Sequence, residues 1–121
     1  MLEKQFGWSG VIAEPAKIWH DNLLLNRNCL VSKKCIFGES GALVSFSEVS
    51  NPLLSTISSY SLNDQHREAR DSFQQYKVET LTLLDLLRWA EAPKVIDFLS
   101  IDTEGSEFEI LSAFNFSEYR F

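Results

Sequence analysis

The stretch that most constrains this chain is VIDFLSIDTEGSEFEIL, Val95–Leu111. Val95–Ile101 is a near-continuous apolar run. Runs of this kind form strands covered on both faces, as in parallel sheets. Asp102–Ser106 then supplies acids and a glycine, a turn composition. Glu107–Phe114 follows, with Phe108, Ile110, Leu111 and Phe114 at helical spacing. Strand, polar turn and helix make a unit of a parallel α/β sheet. Ligands in such sheets bind beyond the carboxyl ends of the strands. The turn at Asp102 is therefore where chemistry is expected.

The rest of the chain repeats the alternation. Residues 1–7 read as the end of a helix, with Leu2 and Phe6 on one face and Gly7 as its stop. Val11–Ala13 is a short strand ending on Glu14. Pro15 suits the first turn of a helix that runs to about Arg27, with Ile18, Trp19, Leu23, Leu24 and Leu25 on its inner face. Cys29–Phe37 is a second strand region, and Gly38–Gly41 a turn. Ala42–Val49 alternates as a third strand, at a sheet edge. Residues 50–72 are polar and read as a loop with a short helix near Asp64–Asp71, a place for substrate contacts. Tyr76–Leu81 is a strand, and Thr82 caps a helix that ends at Ala92–Pro93. The order predicts an α/β fold: a mostly parallel sheet with flanking helices. Trp8, Trp19 and Trp89 read as core or helix-packing residues.

Two polar positions stand at strand ends. Glu14 offers two acceptor oxygens, which suits the adjacent hydroxyls of a ribose; it also suits the N-terminus of its own helix. Asp102 and Glu104 flank Thr103, and in an extended segment they point the same way. Such a pair can take a proton from a hydroxyl, hold a cation or contact a cofactor amine. Glu104 and Glu107 equally suit the start of the next helix. Only the Asp102–Glu104 pair raises the option of a divalent metal, and nothing else in the sequence supports one. His20 and His66 have no second metal-type ligand at a recognisable spacing.

Net charge is −6, so nucleic acid and anionic membrane surfaces are not expected partners; Lys33 and Lys34 alone do not make a basic patch. No run reaches the length of a membrane span, and the N-terminus lacks the apolar region of a signal peptide. Cys29 and Cys35 are no disulfide framework and are expected as buried thiols in a cytoplasmic protein.

The segments FGWSGVIAEP (Phe6–Pro15), NRNC (Asn26–Cys29) and IDFLSIDTEGSEFEIL (Ile96–Leu111) together resemble the FkbM family of S-adenosylmethionine-dependent methyltransferases. The resemblance implies a Rossmann-like class I methyltransferase fold. It implies that Glu14 takes the ribose hydroxyls of S-adenosylmethionine and that Pro15 lies near the adenine. Cys35, Ile36 and Phe37 would line the adenine pocket. Asp102 would stand beside the methionine end of the cofactor or the methyl acceptor, with Asp102 or Glu104 as catalytic base. Family members generally methylate oxygen on sugars and other small molecules. The family's first strand and glycine-rich turn have no counterpart here, and the chain stops where a fifth strand is expected. The expectation is a partial domain over residues 1–121, inactive alone, with an incomplete sheet whose exposed edges favour self-association. Two other readings stand beside it: a nicotinamide-dependent oxidoreductase fragment, which shares an acid after the second strand, and a non-catalytic α/β interaction module.

Overall fold

Val11–Ala13 (β1) and Leu30–Ser32 (β2) lie side by side and parallel, with Val11 opposite Leu30 and Ala13 opposite Ser32. Parallel neighbours need a crossover. A 3-10 turn at Lys17–Trp19 and the helix His20–Asn26 supply it; with Leu2–Phe6 as α1, this second helix is α2. The computed structural model describes residues 2–49, 56–57 and 73–121.

The crossover differs from the expected single helix from Pro15. Helical geometry starts later, because the Glu14 carboxylate accepts the Ala16 amide and holds the chain open there. Its inner face is also narrower. Trp19 and Leu23 are partly buried, whereas Ile18 and Leu24 are exposed and Leu25 is 83% exposed. Positions four apart stack on one face, and each single step turns a side chain by about 100° away from it. Trp8 and Trp89 are likewise exposed, so of the three tryptophans only Trp19 joins a core.

A second sheet has the order β3-β6-β4-β5. Its strands are Cys35–Ile36 (β3), Leu43–Val49 (β4), Thr56–Ile57 (β5) and Phe73–Leu81 (β6). Only β3 and β6 pair in parallel, Cys35 with Thr80 and Ile36 with Leu81. The longest ladder is antiparallel, β4 against β6 from Leu43–Glu79 to Val49–Phe73. The mostly parallel sheet is thus corrected to a mixed one. The sign was the alternation itself, which belongs to antiparallel strands with one face packed. Along β6, Val78 and Thr80 are buried while Lys77 and Glu79 are exposed. Strand β4 is interior, since β5 covers its far side. Strand β5 falls within the stretch expected to be loop. The helix expected near Asp64–Asp71 lies outside the described residues.

Thr82 caps Leu83–Trp89 (α3), its hydroxyl accepting from the Asp85 amide at 3.1 Å. Leu83, Leu86 and Leu87 are buried beneath it. Glu107–Ser112 (α4) is shorter than expected and buries Ile110, while Phe108 is 79% exposed.

Val95–Ile101 does not form a strand. Among the described residues its only ladder contact is a parallel bridge from Val95 to Arg120, with the Ile96 amide donating to the Arg120 carbonyl at 2.8 Å. A strand needs a neighbour to take its backbone groups. The apolar run is covered on one side only: Ile96, Leu99 and Ile101 rest on the α3–α4 core, and Phe98 is 62% exposed.

Two cores result. Leu83, Leu86, Leu87, Ile110, Phe114 and Tyr119 form one. Ala16, Cys35, Phe46, Ile57 and Val78 form the other, against the antiparallel strands β4 and β6.

Candidate active site

Between these cores lies a cavity of about 230 Å³. Its polar lining includes Glu14 from the end of β1 and Asp102, Thr103 and Ser106 from the turn before α4. Its apolar lining includes Trp19, Ile36, Phe46 and Ile57, with Cys35. Segments distant in sequence therefore meet at one place, beyond the carboxyl end of β1.

Glu14 is half-buried. Its Oε1 accepts the Ala16 amide at 2.8 Å. Burial raises its pKa above the usual carboxylate value and the nearby Glu48 adds to this; the Ala16 hydrogen bond and His20 oppose it. The Glu14 carbonyl is bonded to His20 Nε2 at 2.8 Å. The following residues are pinned from β4 and β6. The Lys17 amide donates to Glu48 Oε2 at 3.0 Å and to the Tyr76 hydroxyl oxygen at 3.1 Å. The Tyr76 hydroxyl contacts the Pro15 carbonyl at 3.1 Å and the Glu48 carboxylate. Burial and the Glu48 carboxylate raise the Tyr76 pKa, so the phenol stays a donor. Ala16, at the centre of this loop, is 1% exposed.

Cys35 is buried in the cavity wall, and burial pushes its thiol up to about 12, with Glu14 adding to the shift. It is a packing group at neutral pH, not a nucleophile. Cys29 is only partly buried.

The turn that carries Asp102 is built around Glu107. Its Oε1 accepts the Thr103 amide at 2.7 Å and the Thr103 hydroxyl at 2.8 Å, and its Oε2 accepts the Gly105 amide at 3.1 Å. Burial opposes ionisation of Glu107, but these hydrogen bonds outweigh it and hold the carboxyl below its usual range. Ser106, fully buried, donates to Thr103 Oγ1 at 2.9 Å. Glu104 has φ +58° and Gly105 φ +125°. A left-handed non-glycine residue costs about 1 kcal/mol or more, which the carboxylate-centred turn offsets.

Asp102 and Thr103 line the cavity; Glu104, the left-handed residue of the turn, is not among its lining residues. Phe37 is also off the lining and packs against the core of Ala16, Cys35, Phe46, Ile57 and Val78. Glu14, Pro15, Cys35, Ile36 and Asp102 are brought together. Asp102 is exposed and has no hydrogen-bond or ion-pair partner among the described residues. Thr103, Ser106, Phe46 and Ile57 were not read as site residues from the sequence. The apolar pair arrives only through the β4–β5 ladder, which no local pattern announces.

A family model for the methyltransferase FkbM domain matches residues 1–121, the whole of this chain. The chain belongs to the FkbM methyltransferase family. Neither a curated protein nor a solved structure gives a match. Membership in a methyltransferase family leaves the oxidoreductase reading without support. Among the described residues of this FkbM domain, no group of three or more His, Cys, Asp or Glu side chains is placed to hold a metal ion. No described helix is long and apolar enough to cross a membrane.

A second groove, of about 530 Å³, lies on the other side of Pro15. Lys17, Lys33, Lys34 and Lys77 line it.

Proposed function

We propose that this FkbM domain transfers a methyl group from S-adenosylmethionine to a hydroxyl oxygen of a small molecule such as a sugar. The observation that carries this reading is the cavity on which Glu14, Cys35, Ile36 and Asp102 converge. An acid closing the first of two parallel strands, with a helical crossover after it, supports a Rossmann-like placement of the cofactor.

The residues fit the group. A half-buried carboxylate with two oxygens suits the ribose hydroxyls, and Trp19, Ile36, Phe46 and Ile57 suit an adenine. Sites for whole drug-sized ligands run from about 300 to 1,000 Å³. At about 230 Å³ the cavity suits the adenosyl half, with the methionine end toward Asp102. When bound, S-adenosylmethionine supplies a methyl carbon made electrophilic by its sulfonium. Asp102, with its carboxylate unengaged among the described residues, takes the proton of the acceptor hydroxyl. Glu104 is left out of this role, as the left-handed residue of the turn. Thr103 and Ser106 position the Asp102 backbone through the Glu107 carboxylate. No metal is invoked. The net charge of −6 favours a small acceptor over nucleic acid, and the two free thiols suit a reducing cytoplasm.

The test is methyl transfer by the natural full-length protein to a panel of sugar hydroxyls, followed by mass spectrometry. Asp102→Asn is expected to lower kcat by about 10²- to 10⁴-fold with the KM for S-adenosylmethionine little changed. An unchanged kcat would remove Asp102 from the chemistry. Methylation of nitrogen or carbon alone would overturn the hydroxyl assignment.

A further inference from the structure

The second groove draws its cations from three places: Lys17 in the 3-10 turn, Lys33 and Lys34 between β2 and β3, and Lys77 on β6. Asp21 and Glu79 are its acidic members, so lysines outnumber acids there. The chain as a whole has the opposite balance, with 17 acids against 11 Lys and Arg. Gathering like charges costs stability unless something neutralises them. Lys34 has such a partner, Glu79 at 2.6 Å, and Lys17 lies over the Tyr76 ring at 4.1 Å. The side chains of Lys33 and Lys77 have no ion pair or hydrogen bond among the described residues. Strand β3 pairs only with Thr80 and Leu81, so no described strand covers the edge of β6 beside Lys77.

We propose that this groove binds a phosphate group, as the phosphate or diphosphate of a small metabolite, with Lys33 and Lys77 as its principal charges. The cations are all lysines and no arginine lines the groove. Planar carboxylates are best matched by the arginine fork, whereas lysine serves phosphate as a point charge. The volume of about 530 Å³ is that of a small-ligand site. A long polyanion is disfavoured by the net charge of −6 around it. The inference does not depend on the methyltransferase reading, and it needs no S-adenosylmethionine to test.

The experiment is calorimetric titration of the full-length protein with inorganic pyrophosphate at low and physiological salt. Saturable binding that weakens with salt is expected. Lys33→Ala with Lys77→Ala should weaken it by at least about tenfold, with the thermal midpoint not lowered. Lys33→Arg with Lys77→Arg should retain binding, which separates charge from packing. A sugar phosphate and a nucleoside diphosphate run in parallel distinguish the source, and tighter binding of either supports the site. Absence of saturable binding, or equal binding by the alanine pair, would overturn the proposal. So would tighter binding of a single-stranded oligonucleotide through the same lysines.

Discussion

Glu107 accepts hydrogen bonds from two backbone amides and one hydroxyl, all from the turn that carries Asp102. Removing its charge weakens every one of them. Glu107→Gln should destabilise the protein by about 1–2 kcal/mol in urea unfolding, and an unchanged midpoint would show that the turn stands without it. Glu14 works in the reverse sense. Burial disfavours its ionised form, so the ionised carboxylate is a load on the fold at neutral pH. Glu14→Gln keeps an acceptor for the Ala16 amide and should raise Tm by about 2 °C at pH 7, and by less at pH 4. At this scale the pattern pointed to Glu14 after the apolar strand β1 and to Asp102 after the apolar run Val95–Ile101, and both line the cavity. Glu104 was paired with Asp102 on an extended backbone across Thr103, whereas the chain turns there through a left-handed residue.

At the scale of elements, the antiparallel pair β4–β6 serves the loop after β1. Glu48 and Tyr76 bond the backbone of Pro15 and Lys17, and thereby fix the residues on either side of Ala16. Tyr76→Phe removes the hydroxyl and should weaken S-adenosylmethionine binding by about fivefold, as loss of about 1 kcal/mol implies, while Lys77→Ala on the opposite face of the strand leaves it unchanged. Equal affinity in Tyr76→Phe would show that the loop holds its shape unaided. The capped helix α3 and the strands β1 and β6 follow from local pattern: Thr82 before a leucine-rich run, and alternation along Tyr76–Leu81. The pairing partners do not. Nothing local in Thr56–Ile57 says that it will lie against Phe46 and Ser47. Val95–Ile101 shows the opposite case, an apolar run that forms no strand because no described segment pairs with it beyond the bridge from Val95 to Arg120.

For the whole molecule, acid should be the destabilising direction. Glu107 is held low by its turn, and Asp85 by the Ser40 and Thr82 hydroxyls. Arg88, at 2.7 Å, and Lys94 hold Glu118 down to about 2. A depressed folded pKa contributes stability that is complete above the unfolded value and is lost as pH falls through the folded one. Stability should therefore decline below about pH 4.5 toward pH 2, and Glu118→Gln should flatten part of that decline; a urea midpoint constant from pH 7 to pH 3 would contradict it. The α/β class was legible from the alternation of elements. The split into two sheets was not, because sheet order depends on contacts between segments that share no local signal. The methyl-transfer reading turns on one cavity and on Glu14 in its wall. The direct measurement is equilibrium titration of the natural full-length protein with S-adenosylmethionine, beside Glu14→Ala. Saturable binding in the parent, weakened at least about tenfold in the variant, is the expected result; equal affinity in the two proteins would contradict the placement of the cofactor at Glu14.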